Sequence, residues 1–468
     1  MAKNIVIFSD GTGQRAGLTF DERRSNIYKL FRATRSGPDS KIDPSEQVTF
    51  YDAGVGTAAP GASLVGRLWV WIYNLVSRAT GLGLTTNVVE TYAAIIREWE
   101  EGDRIFLFGF SRGAYTMRLL GGVLSHCGVP IKQPNGPLRI DEKGSKKIAR
   151  KAVTRVYQHS PSKVDTPEKP LSEKEKMHLD QRRLLAAEFR EDYGSSDKDA
   201  PEQSNAVPHF ISVYDTVASL FHPAASALIA GATLAGLAIL SYGLTYFGAP
   251  FLSTFLSIFA LAFTFLLIWF LGKSVKFPGK IGPYSSWQTA RFTGYMHFED
   301  TELSTRVPYA RHAISIDEVR AQFQRVPWNR RGAANESNAD GIIPFKQVWF
   351  AGVHTDIGGG YPETESRLSD TALSWMLEDV EKPGVGLQID DTFLNLFTLP
   401  HGRQHDEYAA SVFWRLAGRK VREVPVDAPL HPSVESRYRE DGVPHYDSVR
   451  PYRPENLRTH QDVATWGE

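Results

Sequence analysis

The sequence predicts an α/β fold in which helices flank a mostly parallel sheet. Apolar runs of the length of a buried strand recur at residues 4–9, 48–53, 105–108, 207–214 and 346–352. Stretches with helical periodicity separate several of these runs, which is the order of elements in βαβ units. Several runs also end in a polar loop rich in glycine, and such loops are typical of the ligand-binding edge of a parallel sheet.

The first predicted strand, at residues 4–9, ends in Asp10-Gly11-Thr12-Gly13. A Gly-x-Gly can bind a dinucleotide, but this one lacks a third glycine and a helix start. We expect Asp10 and the backbone of Gly11 and Thr12 to line a site together with residues at the end of a neighbouring strand. The alternative is an aspartate in an ordinary Asx turn.

The next stretches are helical or aromatic. Residues 26–33 are predicted to be helical, and residues 87–100 form an amphipathic helix that leads into the third strand. Between them, residues 54–61 are a glycine-rich loop, and residues 64–84 carry the aromatic side chains Trp69, Trp71 and Tyr73. This aromatic cluster either packs in the core, as such clusters usually do, or rims a lipid-facing groove.

The turn after the third strand fits the pattern G-x-S-x-G. Gly-Phe-Ser-Arg-Gly at residues 109–113 lies between the strand and a predicted helix at residues 114–124. In this context the glycines permit a tight turn that holds Ser111 with its hydroxyl exposed, as a nucleophile requires. The backbone N–H of Arg112 begins the helix and is expected to face a developing oxyanion. The alternative is a glycine-rich turn with an incidental serine.

Residues 139–205 are strongly charged and include a long polar helix at residues 171–191. The basic residues at the start of this segment are Lys143, Lys146, Lys147, Arg150, Lys151 and Arg155. We interpret the segment as a charged helical insertion that is solvated, or that serves as a lid or as a contact for anionic lipid headgroups.

An apolar segment follows the fourth strand. Residues 216–272 contain no Asp, Glu, Lys or Arg, and residues 224–247 and 251–271 are each long enough to cross the hydrocarbon core of a bilayer. The short Gly-Ala-Pro turn between them predicts a hairpin. Three lysines follow the hairpin: Lys273, Lys276 and Lys280. By the positive-inside rule, both ends of the hairpin and the catalytic domain are expected in the cytoplasm. The alternative is a buried helix pair in an unusually large core.

The remaining elements complete the predicted order. Residues 309–323 are expected to be helix or turn around His312, and residues 369–380 to be a helix after the last parallel strand. The predicted divisions of the chain are residues 1–215 as the first part of the α/β domain, 216–280 as the membrane hairpin, 281–385 as the second part of the domain and 386–468 as a C-terminal extension.

Three polar residues follow predicted strands in the chain order Ser, Asp, His, namely Ser111, Asp215 and His354. A serine hydroxyl needs a base to take its proton and an acid to orient that base. Because this is the order of the triad in α/β hydrolases, we predict an α/β-hydrolase-like fold with these residues as its triad.

Other residues compete for these roles. His312 is the second candidate for the base, followed by His401 and His405. Asp10 and Asp356 are rival acids, although Asp356 can instead brace the glycines at residues 358–360. A metal site formed by Asp10, Asp215, His354 and Asp356 lacks a recognisable ligand spacing, so neither a metal nor a cofactor is predicted.

Composition narrows the classes of function. Lys plus Arg and Asp plus Glu each total 53, so the net charge is zero and binding to nucleic acid is not predicted. The single cysteine, Cys127, excludes an internal disulfide and a cysteine-based zinc site. Because the first strand begins almost at once, we expect no signal peptide. Composition does not determine the oligomeric state.

Five blocks of the sequence resemble one family. They are Phe-Ser-Asp-Gly-Thr at residues 8–12, Gly-Phe-Ser-Arg-Gly-Ala at 109–114, Val-Tyr-Asp-Thr-Val at 213–217, Arg-His-Ala-Ile-Ser-Ile-Asp-Glu at 311–318 and the block around His354 at 350–361. The family is a group of α/β hydrolases long labelled a domain of unknown function, and it includes the Tle-type phospholipase effectors of type VI secretion. The resemblance implies ester hydrolysis, phospholipid substrates and a triad on Ser111, Asp215 and His354. The apolar hairpin is a departure from the family.

We therefore expect a membrane-associated serine hydrolase that cleaves carboxylic esters, most simply those of phospholipids or other lipids, through an acyl-enzyme. The alternative is a non-catalytic or regulatory membrane protein that retains a hydrolase fold.

Overall fold

Six parallel strands form the central sheet. The computed structural model describes residues 2–11, 23–53, 82–138, 140–160, 170–217, 223–276, 278–292, 301–330, 336–338 and 341–466. The strands of the sheet are β1 (Asn4–Ser9), β2 (Gln47–Asp52), β3 (Arg104–Phe110), β4 (Phe210–Tyr214), β5 (Tyr309–Ser315) and β6 (Phe345–Phe350). They lie in the order β6-β5-β4-β3-β1-β2, and every neighbouring pair is parallel. The carboxyl ends of all six strands therefore meet at one edge, and the predicted α/β class is confirmed.

Strand β5 corrects the expectation of helix or turn at residues 309–323. All seven residues of Tyr309–Ser315 are buried, between β4 and β6. Arg311 and His312 give this segment a polar sequence, but each has a partner on another element. Arg311 Nε donates to Asp379 at 2.7 Å, and His312 Nδ1 bonds Gln347 at 3.1 Å. A buried cation needs such a partner, and the local sequence does not reveal it.

Helices cover both faces of the sheet. They are α1 (Asn26–Thr34), α2 (Leu82–Glu98), α3 (Arg112–Cys127), α4 (Glu142–Lys151, continued by a π-helical turn at Ala152–Val156), α5 (Glu173–Tyr193), α6 (Pro223–Thr245), α7 (Phe251–Ser274), α8 (His354–Gly358), α9 (Arg367–Val380), α10 (Glu407–Ala410), α11 (Val412–Ala417), α12 (Pro432–Arg439) and α13 (Gln461–Trp466), with a single turn at Ser286–Thr289. Ile5 and Ile7 of β1 join the core under α2 to α5, whereas Val6 and Phe8 join the core under α1 and α9.

The charged segment at residues 139–205 contributes to the main core. Helix α4 places Ile148 in the same core as β1 and β3, and α5 adds Leu185 and Phe189. Some of its charged side chains are partly exposed, such as Lys151 and Asp192, which meet at 2.8 Å, whereas Arg182 and Arg190 are buried. The segment therefore forms part of the helical layer over the sheet.

Helices α6 and α7 form a hairpin whose apolar side chains are exposed. The two helices pack against each other, yet Leu261, Phe265 and Ile268 are 72%, 69% and 65% exposed. Helix α7 is therefore not part of a buried helix pair. In the described part of the chain, one helical stretch, Phe251–Trp269, is long and apolar enough to cross a membrane, and α6 offers the shorter apolar stretch Thr233–Thr245. Among the described residues, only the second of the two predicted spans is therefore long and apolar enough to cross a membrane.

Some predicted features lie outside the described residues. They are Thr12, the loop at residues 54–61, the aromatic cluster of Trp69, Trp71 and Tyr73, and the side chains of Lys273 and of residues 223–229 in the first predicted span.

The C-terminal residues pack against the end of the sheet. Val434, Tyr452 and Leu457 share a cluster with Ile314 of β5 and Trp349 of β6. The chain beyond residue 386 therefore reaches the edge where the carboxyl ends of the strands meet.

The contact between α3 and β1 predicts which glycine of α3 cannot be replaced. A Cβ at Gly113 would lie 2.0 Å from the Ser9 carbonyl oxygen, whereas a Cβ at Gly121 would meet the end of the Ile211 side chain at 2.8 Å. A side-chain terminus can move aside but a sheet carbonyl cannot, so Gly113→Ala should lower the free energy of unfolding by about 3 kcal/mol. Gly121→Ala should change it by less than about 1 kcal/mol, because the higher helix propensity of alanine offsets the contact. Thermal unfolding of the two variants is the measurement, and equal losses would contradict this packing argument.

Candidate active site

Ser111 is the single residue between β3 and α3, and its backbone conformation is strained. Its φ of 59° and ψ of −119° are unusual for a residue with a side chain, and such conformations persist only where the surrounding structure enforces them. The Ser111 N–H donates to the Tyr214 carbonyl at 3.0 Å and so ties the turn to β4. A Cβ at Gly109 would lie 2.5 Å from the Gly113 carbonyl oxygen. The close approach of backbone explains both glycines of the predicted turn.

Asp215 and His354 meet at the same edge of the sheet. Asp215 follows β4 with a positive φ of 40°, and His354 is the first residue of α8, just beyond β6. His354 Nδ1 and Asp215 Oδ2 are 2.5 Å apart, and both side chains are buried. Phe110 and Tyr214 are paired residues of β3 and β4, so Ser111 and Asp215 leave neighbouring strands at the same level.

The imidazole of His354 lies close to the strained turn. Its ring packs against that of Phe110, the residue before Ser111, with 4.7 Å between ring centroids and a tilt of 30°. Among the described residues no hydrogen bond joins Ser111 to His354, and His354 Nε2 has no partner there. The fold thus places Ser111, Asp215 and His354 at one edge of the sheet, and it brings Asp215 and His354 into direct contact.

Arg422 is the residue that the sequence reasoning missed. Its Nη1 and Nη2 donate to the two carboxylate oxygens of Asp215 at 2.5 and 2.9 Å. Burial by itself would raise the pKa of Asp215, but the Arg422 guanidinium and the hydrogen bond from His354 outweigh burial and hold that pKa well below its usual range. Asp215 therefore stays ionised inside the protein. A buried carboxylate requires a cationic partner, so the sequence indicates that one exists. It does not indicate which basic residue is that partner.

Asp10 is not placed as the acid of a triad. Its carboxylate accepts hydrogen bonds from Ser25, from the Tyr51 hydroxyl at 2.8 Å and from the Gly11 N–H at 2.7 Å. Burial raises the pKa of Asp10 to about 6, although these hydrogen bonds oppose the rise. Asp10 thus bonds no histidine among the described residues. A Cβ at Gly11 would lie 3.5 Å from Ser111 Cβ, so Gly11 does line the turn.

His312 is not placed to act as a base. Burial, with a further contribution from Arg118, lowers its pKa to about 3. His312 Nε2 accepts a hydrogen bond from the Thr216 N–H at 3.3 Å, and Nδ1 faces Gln347. The ring is fully buried and supports the backbone just after Asp215.

Asp356 braces α8 and holds a different histidine. Its Oδ2 accepts from the Val353 N–H at 3.1 Å, and its Oδ1 bonds His405 Nδ1 at 2.7 Å. His405 Nε2 reaches Glu365 at 3.0 Å. Burial lowers the pKa of His405, but the two carboxylates outweigh burial and raise it overall. His401 lies apart from Asp215 and bonds Ser436.

The four residues considered as metal ligands do not form one group. Asp10 bonds Ser25 and Tyr51, Asp215 bonds Arg422 and His354, and Asp356 bonds His405. Across the part of the chain that is described, no group of three or more His, Cys, Asp or Glu side chains is arranged to hold a metal ion.

Aromatic side chains connect the site to the foot of the hairpin. The Phe323 ring packs edge-on against His354 with centroids 5.0 Å apart, and Trp414 of α11 packs on Phe323 at 5.3 Å. Helix α11 also contacts α6. The site and the apolar hairpin therefore lie at the same end of the molecule.

Comparison with known proteins gives a family. The family model described as "T6SS, Phospholipase effector Tle1-like, catalytic domain" matches residues 3–379. The chain is 32% identical over 133 residues to the uncharacterized protein YEL023C of Saccharomyces cerevisiae, a stretch that is 28% of this chain and 18% of that protein.

Two solved structures are similar at low identity. One is an uncharacterized protein from Pseudomonas aeruginosa (15% identity, TM-score 0.34, 89% of this chain and 50% of that chain). The other is the Tle1 effector bound to the VgrG spike of the type 6 secretion system (14% identity, TM-score 0.29, 78% of this chain and 52% of that chain). The chain thus spans about half the length of each of these two proteins and less of the yeast protein. From the match over residues 3–379, the chain belongs to the family of Tle1-like catalytic domains of type VI secretion phospholipase effectors.

Proposed function

We propose that this protein is a serine hydrolase that cleaves carboxylic ester bonds of lipids, with Ser111 as nucleophile, His354 as base and Asp215 as the acid that orients the base. The observation that carries the proposal is the His354–Asp215 hydrogen bond beside the strained turn at Ser111. Membership of a phospholipase effector family supports lipid esters as the class of substrate.

The proposed reaction follows from which atoms are already engaged. His354 Nδ1 is engaged by Asp215, so Nε2 is the atom that takes the proton from Ser111 Oγ as the oxygen attacks the ester carbonyl. His354 then returns this proton to the leaving alcohol, and water hydrolyses the acyl-enzyme by the same path in reverse. Apo active sites often have a longer nucleophile–base distance than the substrate complex, so a contact between Ser111 and His354 that closes on binding fits the mechanism.

The oxyanion requires N–H donors beside Ser111. The N–H of Arg112 lies at the start of α3, where helix N–H groups point out of the helix end and the helix dipole favours negative charge. The N–H of Gly11 is already engaged by the Asp10 carboxylate. We therefore assign the first donor to Arg112, and Thr12, the other predicted contributor, lies outside the described residues.

Removal of the nucleophile or the base should abolish ester hydrolysis without unfolding the protein. Ser111→Ala should lower kcat on the order of 10⁶-fold, and the double variant with His354→Ala should be little worse than either single variant, because triad members act as a unit. Hydrolysis of a short acyl ester, together with labelling by a fluorophosphonate probe, is the measurement. Normal labelling of Ser111→Ala would refute the assignment, and absence of labelling in the wild type would favour a non-catalytic role.

Arg422 acts in this proposal through Asp215, as a positioning residue. Its guanidinium also donates to the carbonyl oxygens of Ser315 and Phe323, at 3.0 and 2.5 Å, so both ends of the group are fixed. Asp215 Oδ1 accepts in addition from the Ser315 N–H at 3.0 Å. The carboxylate is thereby held in one orientation towards the imidazole.

Arg422→Met should lower kcat roughly 10²-fold with little change in KM, the size of effect seen for partners that orient a catalytic group. Because Arg422 lowers the pKa of Asp215, its loss should raise that pKa, and the acid limb of kcat/KM should move to higher pH. Arg422→Lys should restore part of the rate. Arg419→Met is the matched control, because Arg419 is an exposed neighbour that lies 3.9 Å from Glu455. Unchanged kinetics and pH profile in Arg422→Met would remove Arg422 from the mechanism.

We propose further that the hairpin places the catalytic domain on the cytoplasmic face of a membrane. The exposed apolar side chains of α7 and the stretch Phe251–Trp269 support insertion into a bilayer. Val412 and Leu416 of α11 are also exposed, at 62% and 73%, between the foot of the hairpin and the site. A lipid could therefore reach Ser111 from the bilayer without crossing much water. Lys276 and Lys280, which follow α7, favour the cytoplasmic side.

Replacement of residues 224–271 by a short Gly/Ser linker should make the protein soluble without detergent. The variant should keep its activity on a water-soluble ester, since the triad lies outside the replaced segment, and lose activity on phospholipid in vesicles. Paired assays on the two substrates are the measurement, and the soluble ester serves as the control for folding. Full activity of the variant on vesicles would contradict a role for the hairpin in access to substrate.

A further inference from the structure

A basic cavity of about 360 Å³ lies at the foot of the hairpin, just after α7. Its lining includes three cationic side chains, and none of the lining residues that the structure describes is an acid. The cations are Arg155, Lys276 and Arg291, and they share the cavity wall with Thr154, Gln158 and His159. The cavity is outside the candidate active site, whose residues it does not include.

Two of these cations face each other on paired backbone. Lys276 and Arg291 are opposite residues of a two-residue antiparallel ladder that closes the base of the hairpin. Like charges directly opposite in a ladder are destabilising. Among the described residues, Arg291 Nη1 is buried without a hydrogen-bond partner. This arrangement is one that an anion between the two side chains would stabilise.

The surrounding residues add little negative charge. Glu188 contacts Arg155 at 3.1 Å on the exposed side, and Asp180 is engaged by the Tyr284 hydroxyl at 2.7 Å. Burial, with a contribution from the nearby Arg182, lowers the pKa of Arg291. Among the described residues, three arginines and one lysine therefore share this region, and the carboxylate shown to pair with a cavity-lining cation is that of Glu188.

The cavity also lies at the depth of lipid headgroups if α7 spans the bilayer. Lys276 is seven residues beyond Trp269, where the apolar stretch ends. Five of these residues continue α7 at about 1.5 Å each and the last two are extended at about 3.3 Å each, so Lys276 lies about 14 Å from Trp269. This is just beyond the headgroup layer that flanks the hydrocarbon core, and long lysine side chains near helix ends reach back to that interface. A phosphate held there would come from the membrane itself.

We propose that this cavity binds the phosphate headgroup of an anionic membrane lipid, which fixes the depth of the hairpin and is not the substrate. Arginine presents a fork of donors that matches phosphate oxygens, and lysine adds a point charge. The proposal rests on the proposed membrane insertion of the hairpin and does not require ester hydrolysis.

The test is binding of diether phosphatidylglycerol and diether phosphatidylcholine to the full-length protein in nonionic detergent, measured as retained lipid by native mass spectrometry. Diether lipids carry the headgroup but no carboxylic ester, so the result does not depend on catalysis. Phosphatidylglycerol should bind more tightly, with one molecule retained. Lys276→Ala and Arg291→Gln should each weaken binding roughly five-fold, the effect of one basic residue near anionic lipid.

Two control variants test the proposal without removing a residue that lines the cavity. Lys280→Ala removes an exposed lysine that is four residues further on and outside the lining, and it should leave the affinity unchanged. Glu188→Ala removes the carboxylate that competes for Arg155, and it should tighten binding. Arg291→Lys, which retains the charge and lacks the fork, should lie between the wild type and Arg291→Gln; this variant guards against a loss of folding in the latter.

The proposal is overturned if Lys280→Ala weakens binding as much as Lys276→Ala, since the attraction would then be diffuse. It is also overturned if both lipids bind equally. Displacement of phosphatidylglycerol by inorganic phosphate at equal concentration would show a site for a free anion and would exclude a lipid ligand.

Discussion

The structure of the candidate active site depends on one ionised carboxylate that has no access to water. Asp215 is fully buried, and a buried charge is tolerated only when partners surround it. Its partners come from three separate parts of the chain: the Ser315 N–H at the end of β5, His354 at the start of α8, and Arg422 in the C-terminal region. Loss of one partner from a buried ion pair typically costs about 3–5 kcal/mol. The ion pair thus couples the order of the C-terminal region to the geometry of the site.

The same edge holds two residues in strained backbone conformations. Ser111 and Asp215 both have positive φ, although neither is glycine. Each strain is held by neighbours: the Ser111 N–H bonds the Tyr214 carbonyl, and the Asp215 N–H bonds the Ala313 carbonyl at 2.7 Å. Because the two residues follow paired strands, the sheet itself sets their relative position.

The hairpin joins this edge to a surface of exposed apolar side chains. Helix α6 contacts α11, and the ring of Trp414 continues through Phe323 to the imidazole of His354. On the other side of the hairpin, α7 runs into the short ladder of Lys276 and Arg291. Exposed apolar helices, aromatic packing and basic residues follow one another over a short distance, and the proposed membrane insertion rests on this order.

The sequence by itself determined the elements whose signals are local. The strand–turn–helix around Ser111, five strands of the sheet and the apolar hairpin were all evident from runs of apolar residues and from glycines that a tight turn requires. Chain order predicted the pair of Asp215 and His354, but only the tertiary structure decided between this pair and its rivals. Asp215 pairs with His354 across 139 residues and Asp356 with His405 across 49, and Arg422 reaches Asp215 across 207. Strand β5 was missed for the same reason, because the partner that makes Arg311 tolerable in a buried strand is Asp379, 68 residues away. Ion pairs over such separations depend on how the chain folds back on itself, and neither periodicity nor composition records that path.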